Sequence, residues 1–286
     1  MSALVEAVRD LRFALRGLRR DWLFTLVAAA MLAIAIGLNV STFAVWTTMV
    51  HGGFPLVERN DRLLYMQEDG PGRACCISYA DFLDWRAQAQ AFDDLAFVSG
   101  TEATLADEPG SRGTRARAVQ VTSNAFQILG VTPARGRDFV ADDEAAGATR
   151  VAILSHAFWD SRFGGRVDIL NHTIYVNGEP TAVVGVMPER FAFPSEADLW
   201  LPLEHTPALL SREPSGYLAF GRLLSGATVD TARTEIRAIG SRLAAEYPAT
   251  NRGVVPRVET HSEFFLGPDA GVIYGSVWMA AWLVLL

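Results

Sequence analysis

Residues Trp22 to Val50, WLFTLVAAAMLAIAIGLNVSTFAVWTTMV, contain no charged side chain. Arg9, Arg12, Arg16, Arg19 and Arg20 stand just ahead of them. At about 1.5 Å per residue, a helix over this run exceeds the roughly 30 Å hydrocarbon core of a bilayer. In lipid, only a helix satisfies every backbone N–H and C=O within one segment. The run therefore reads as a membrane anchor over residues 21–50. Basic flanks stay in the cytoplasm, so the chain from His51 onward is expected on the outer side.

The charge divides along the same line. Residues 1–50 carry five Arg against Glu6, Asp10 and Asp21, whereas the whole chain has a net charge of −7. The basic end suits anionic lipid of the inner leaflet. The acidic remainder argues against nucleic acid as a partner. Leu4, Val8, Leu11, Leu15 and Leu18 alternate spacings of four and three, which predicts an amphipathic helix over 1–20 lying in the cytoplasmic interface or packing on a partner by the same stripe. Arg19-Arg20-Asp21-Trp22-Leu23-Phe24 has the look of a twin-arginine export signal. The apolar run is about twice a signal's hydrophobic region, however, and ends without an A-x-A-like site. Val272 to Leu286 is again uncharged and apolar, but at 15 residues it is short of the usual ~20 for a span. It is expected to begin a second, truncated membrane helix, the chain then being the front part of a longer polytopic protein.

Every one of the 25 basic residues is arginine. Without lysine there is no Walker A motif, no Schiff base and no Ser-Lys dyad, so no ATPase motif lies in this chain. The two cysteines, Cys75 and Cys76, are adjacent; that geometry disfavours a mutual bond and matches no zinc spacing. His51, His156, His172, His205 and His261 show no H-x-x-x-H or HExxH pattern, and no G-x-S-x-G elbow occurs. Asp142, Asp143 and Glu144 lack EF-hand spacing and read as a solvated loop. Asp81 and Asp84, at i and i+3, are a conceivable carboxylate pair. None of these is assigned: the sequence offers no catalytic, cofactor or metal residue.

Residues 51–271 alternate strands and helices, an α+β pattern. Arg62–Glu68, Phe92–Ser99 and Arg115–Val121 read as strands. Ser78–Gln90 reads as a helix with Ser78 as its cap and Asp81 as the capping-box acid. Ser123–Leu129 is a short helix stopped by Gly130, and Val151–Leu154 is a buried strand leading to a helix at Ser155–Phe163. Thr173–Val176, Asn177-Gly178 and Thr181–Val186 form a hairpin, since Asn-Gly supplies the two positive φ angles of a type I′ turn. Leu199–Leu203 and Tyr217–Leu224 are strands; Val229–Tyr247 is a long amphipathic helix stopped by Pro248, and Val254–Thr260 returns as a strand. The strand-helix-strand order of 62–99 recurs here, suggesting paired units (55–121 plus 208–262) flanking an inserted, β-rich lobe (122–207).

Several stretches carry a family likeness. Asp10-Leu11-Arg12-Phe13-Ala14-Leu15-Arg16-Gly17-Leu18-Arg19-Arg20, Phe24-Thr25-Leu26-Val27 and Ile34-Ala35-Ile36-Gly37-Leu38-Asn39 resemble the N-terminus of MacB/FtsX-type ABC permeases of the duplicated-permease group. The likeness continues collinearly through Ser78–Arg86, Phe126–Arg137, Val151–Ser155, Val176–Glu179 and Val184–Pro188. His51-Gly52-Gly53-Phe54-Pro55 departs from that family's Arg-Pro-Leu-Pro-like segment. The resemblance implies a permease-type subunit in a bacterial inner membrane: N-terminus cytoplasmic, and a MacB-like periplasmic core domain of two lobes outside. It further implies a separate cytoplasmic ABC-type ATPase, a homodimer or second permease module, and a periplasmic partner. The alternatives are a single-span anchored binding or sensing module without a motor, and an anchored extracytoplasmic enzyme.

Overall fold

A computed structural model describes residues 20–267, apart from Gly52, Gly72, Cys75, Asp107 and Tyr217, and also Gly275. Residues 1–19 of the expected interfacial helix over 1–20, and the apolar segment 272–286 apart from Gly275, lie outside the described residues. The chain divides into two units, residues 1–50 with 268–286, and residues 51–267. In the first unit, helix α1 runs Trp22–His51, 30 residues. Its stretch Trp22–Ser41 is long and apolar enough to cross a membrane, and its large side chains are bare, Phe24 being 77% exposed. Such a surface marks contact with a membrane or with another protein.

The second unit is a mixed α/β domain. Its elements are β1 (Leu63–Gly70), β2 (Arg73–Ala74), β3 (Ile77–Ser78), α2 (Tyr79–Gln88), β4 (Phe92–Ala106), β5 (Thr114–Val121), α3 (Ala125–Leu129) and β6 (Arg135–Gly136). There follow β7 (Val151–Leu154), α4 (His156–Phe163), β8 (Thr173–Val176), β9 (Glu179–Val186), β10 (Leu199–Pro202), β11 (Pro214–Gly216) and β12 (Leu218–Leu223). The chain continues through α5 (Val229–Glu246), α6 (Pro248–Asn251), β13 (Val255–Glu259) and α7 (His261–Leu266).

One sheet runs in the order β13-β1-β12-β4-β5-β10-β7-β9-β6. Its first four strands interleave the two strand-helix-strand units read from the sequence: β1 pairs antiparallel with β12 and β13, and β12 pairs antiparallel with β4. This is the split βαβ arrangement, in which each unit completes the sheet of the other. Because side chains alternate across a strand, these strands are buried on both faces. Leu64, Met66, Phe97 and Ala219 meet α2 and α5 through Phe82, Trp85, Ile236 and Leu243. Leu63, Tyr65, Val98 and Phe220 point to the other face, toward Phe126, Phe193 and Trp200. Each fully buried aromatic or leucine there stabilises the fold by roughly 2–3 kcal/mol.

Beyond β5 the sheet changes character. β10 runs parallel to β5 and β7 parallel to β9, while β8 and β9 form the expected hairpin. Its turn has Asn177 at φ 55° and Gly178 at φ 85°. Ser155 and Thr228 cap α4 and α5, accepting from Phe158 N and Thr231 N. Ser78 caps α2 by accepting from Asp81 N at 2.9 Å, but the Asp81 carboxylate does not close a capping box; it is spent elsewhere.

Candidate functional site: an aromatic cluster at the two ends of the domain

The domain begins with a tight loop. Asn60 pins it from inside: its Oδ1 accepts from Phe54 N at 3.0 Å, and its Nδ2 donates to Phe54 O at 3.1 Å and Val57 O at 2.9 Å. Gly53, at φ 53°, makes this approach possible, since a Cβ there would lie 2.2 Å from Asn60 Cγ. The loop also rests on the C-terminal end of α3. Glu58 N donates to Leu129 O at 3.1 Å, and Arg222 on β12 bridges the two by donating to Glu58 O at 2.6 Å and Ile128 O at 2.9 Å. A cation at the last carbonyls of a helix is favourably placed. Burial nonetheless pulls the Arg222 pKa down from its ordinary value, with Glu58 opposing.

This loop aims Phe54 at three rings, Phe193 at 4.9 Å, His261 at 5.2 Å and Phe265 at 5.3 Å, all near edge-on. Such T-shaped pairs are the favoured geometry and add about 1 kcal/mol each beyond burial. Phe193 in turn meets Phe220 at 4.7 Å, and Phe264 stacks on Tyr65 at 5.0 Å. Phe54 thus comes from the segment just after α1, while His261, Phe264 and Phe265 come from α7, the last described helix of the domain. Tyr65 and Phe220 belong to the central sheet.

Helix α7 is fixed by its first turn. Thr260 accepts from Glu263 N, and Glu263 Oε2 accepts from Thr260 N at 2.8 Å, a capping box. Arg233 on α5 holds the same carboxylate with Nη2 at 2.6 Å. Burial works to raise the Glu263 pKa, but the bonds from Thr260 and Arg233 outweigh it and hold the carboxyl below its ordinary value. Burial alone pushes His261 down and the Tyr65 phenol up. The cluster is therefore apolar and uncharged at neutral pH.

A second constellation sits on the segment between β10 and β11. Arg212 reaches the fully buried Asp81 with Nη1 at 2.5 Å and Asp84 with Nη2 at 2.7 Å. Asn251 adds a donor to Asp81 at 2.8 Å. The two carboxylates share a guanidinium and not a proton. On the same segment, His205 Nε2 lies 2.8 Å from Tyr79 Oη and 3.5 Å from Glu144 Oε2. Burial first, then Glu144, pushes Tyr79 up to about 12.

The acidic loop does not converge. Asp143 turns to Arg137 at 2.7 Å, Glu144 accepts from Ser123 N, and Asp142 is exposed. The histidines are dispersed: His156 lies against Trp159 and His172 against Phe163. Among the described residues no three His, Cys, Asp or Glu side chains gather to hold a metal. One cleft of about 260 Å³ lies beside the start of α4, but Arg117 in its wall is matched to Glu196 and Asp198 at 3.2 and 3.0 Å. Cys75 lies outside the described residues, and Cys76 is half-buried. Phe54, Asn60 and Arg212 carry no motif that would have found them; only Thr260-x-x-Glu263 was a readable signal, for the start of α7.

The chain matches the family described as the MacB-like periplasmic core domain over residues 25–239. No curated protein matches it. Among solved structures, the periplasmic region of MacB from Actinobacillus actinomycetemcomitans is similar, with TM-score 0.54 and 13% identity over 73% of this chain and 95% of that one. A domain described as part of a permease protein from Porphyromonas gingivalis has TM-score 0.51 and 14% identity over 72% of this chain and 91% of that one. These likenesses show a shared fold.

Proposed function

The chain belongs to the family of the MacB-like periplasmic core domain, and from that premise we propose that it is a permease-type subunit, or the N-terminal part of one, of a MacB-like ABC transport system. In this reading α1 anchors it in the bacterial inner membrane, with the N-terminus cytoplasmic and the domain periplasmic. ATP is hydrolysed on a separate cytoplasmic subunit, and the domain changes shape in response, for export or envelope transport. A second permease module or a second copy completes the membrane part, and a periplasmic partner receives the movement. The reading includes a division of the domain into a first lobe (55–121 with 208–262) and an inserted lobe (122–207).

The observation that carries this reading is the Phe54 cluster. A mechanical transmitter needs its membrane-connected ends tied firmly to its core. Here the ring that follows the apolar helix touches α7, the helix that leads toward the second apolar segment, and Phe193. The absence of lysine leaves phosphate chemistry of the Walker type to another subunit.

The test is reconstitution. The full chain is co-expressed with an ABC-type ATPase subunit from the same genome and purified in detergent. Co-purification, together with an ATPase rate that changes when the chain is present, supports the reading. A chain that ignores the ATPase, yet binds a periplasmic protein alone, favours the anchored module without a motor.

A further inference from the structure

Two residues in the loop that opens the domain stand in the left-handed region although neither is glycine: Leu56 at φ 68° and Arg59 at φ 48°. Leucine and arginine avoid that region, and residues held there are over-determined by their surroundings and gather at functional positions. The surroundings are the three Asn60 hydrogen bonds. What the loop holds out is an apolar side chain, Leu56, 51% exposed, and a guanidinium, Arg59, exposed and without a hydrogen-bond or ion-pair partner among the described residues. Phe265, 40% exposed, adds a second apolar group, since its ring meets Phe54. Glu58 and Asp61, both exposed, flank Arg59, so the loop has no strong net charge.

Chain length says what such a group would face. Helix α1 has 30 residues, about 45 Å, which matches the roughly 40–45 Å of a bilayer with both headgroup layers. Leu56 follows His51 by five residues, at most about 18 Å of chain. We infer that the loop 54–60, with Phe265, is a lipid-docking collar: Leu56 and Phe265 enter the outer headgroup layer of the membrane and Arg59 bonds a phospholipid phosphate. Arginine matches phosphate geometry with paired donors, and apolar side chains beside a cation are the composition of interfacial segments. The collar rests on the proposed anchoring by α1.

The test uses the full chain in vesicles of phosphatidylcholine and phosphatidylglycerol, with Cys75→Ser and Cys76→Ser so that one introduced thiol carries a fluorophore. Reporters are Leu56→Cys and, should that variant fold poorly, Pro55→Cys. Val167→Cys, 75% exposed in the wild type, is the water-facing reference, and Ile36→Cys reports the anchor. Lipids bearing a spin label on the headgroup are expected to quench the reporter at 56 or 55 severalfold more than the one at 167. Arg59→Glu is expected to reduce that quenching. Equal quenching at 56, 55 and 167, with Ile36 quenched by acyl-chain spin labels, overturns the collar and leaves the anchor standing. If Ile36 is unquenched, the anchor falls and the collar with it. Self-quenching between labelled copies at 56, without lipid quenching, assigns the patch to a second copy and also overturns the collar.

Discussion

Arg212 lies over the ring of Tyr247, its guanidinium carbon 3.5 Å from the centroid, while its nitrogens hold Asp81 and Asp84. The arginine joins α2 to the end of α5 through a segment that belongs to neither. Arg212→Ala would take the guanidinium away from the buried Asp81, which keeps the Asn251 donor. Breaking a buried pair from one side costs about 3–5 kcal/mol, because the stranded charge keeps its desolvation penalty. The melting midpoint of the purified chain should fall accordingly. Arg212→Lys should recover only part of it, since an ammonium cannot bridge two carboxylates and stack on a ring together. A midpoint unchanged in Arg212→Ala would refute this account of the segment.

The aromatic cluster should make the domain sensitive to mild acid. Burial holds the folded His261 pKa below 6.5. The unfolded chain then takes up its proton first as pH falls, so stability present above about 6.5 is lost as pH drops through the folded value. Glu263 follows in the same direction at lower pH, because its folded pKa is also depressed. His261→Phe should flatten the loss in the upper window and leave the carboxylate loss in place. Urea midpoints measured across that range decide it.

Asp138 should act in the opposite sense. Burial first raises it from 3.8 to about 6, with Phe139 N–H and Arg137 opposing. The folded chain holds this proton more tightly than the unfolded one, so the Asp138 contribution worsens as pH rises from about 4 to 6. Asp138→Asn can still accept from Phe139 N, now at 2.7 Å, and carries no charge. It should stabilise the domain by about 1 kcal/mol at pH 7, after allowance for solvent screening. The gain should shrink as pH falls from about 6 toward 4 and vanish at about pH 3, below both pKa values. A gain that persists there would place its origin elsewhere.

What could be read from the sequence follows from the range of the forces involved. The Asn177-Gly178 turn, the cap at Ser78 and the stop at Gly130 depend on neighbours within a few residues, and each is where the pattern places it. The strand from Phe92 was read only to Ser99, yet β4 runs to Ala106. Gly100, Glu102, Ala103 and Ala106 are weak strand formers, and pairing with β5 and β8 supplies the order instead. Asp81 has the position of a capping acid but is claimed by Arg212, 131 residues away. No local pattern announces that partner. The same holds for Phe54, whose ring partners are all distant in sequence. Helix α7 has six residues, too few for a periodic signal, and only its Thr260–Glu263 capping box marks it in the sequence.

The loop that opens the domain offers the sharpest test of its architecture, because its three hydrogen bonds converge on one side chain. Asn60→Ala removes all three and leaves Phe54 N and Val57 O to find water, while Phe54 O keeps Val57 N at 3.3 Å. At about 1 kcal/mol for each net bond, a loss of about 2–3 kcal/mol is expected. Gly53→Ala attacks the same contact from the other side. Its φ of 53° strains any L side chain, and the new methyl would collide with Asn60. In the wild-type background it should cost at least as much as the left-handed penalty of roughly 1–2 kcal/mol, with a further amount from the collision. In the Asn60→Ala background the contacts with Cγ and Oδ1 are gone and only the 2.5 Å contact with Cβ remains, so the collision is reduced and the double variant should lose less than the two single losses combined. Residues in direct contact show such coupling, whereas distant ones add. Strict additivity in chemical denaturation would mean that Asn60 does not hold Gly53 and Phe54 in the way the hydrogen bonds indicate, and that the aromatic cluster is oriented by something else.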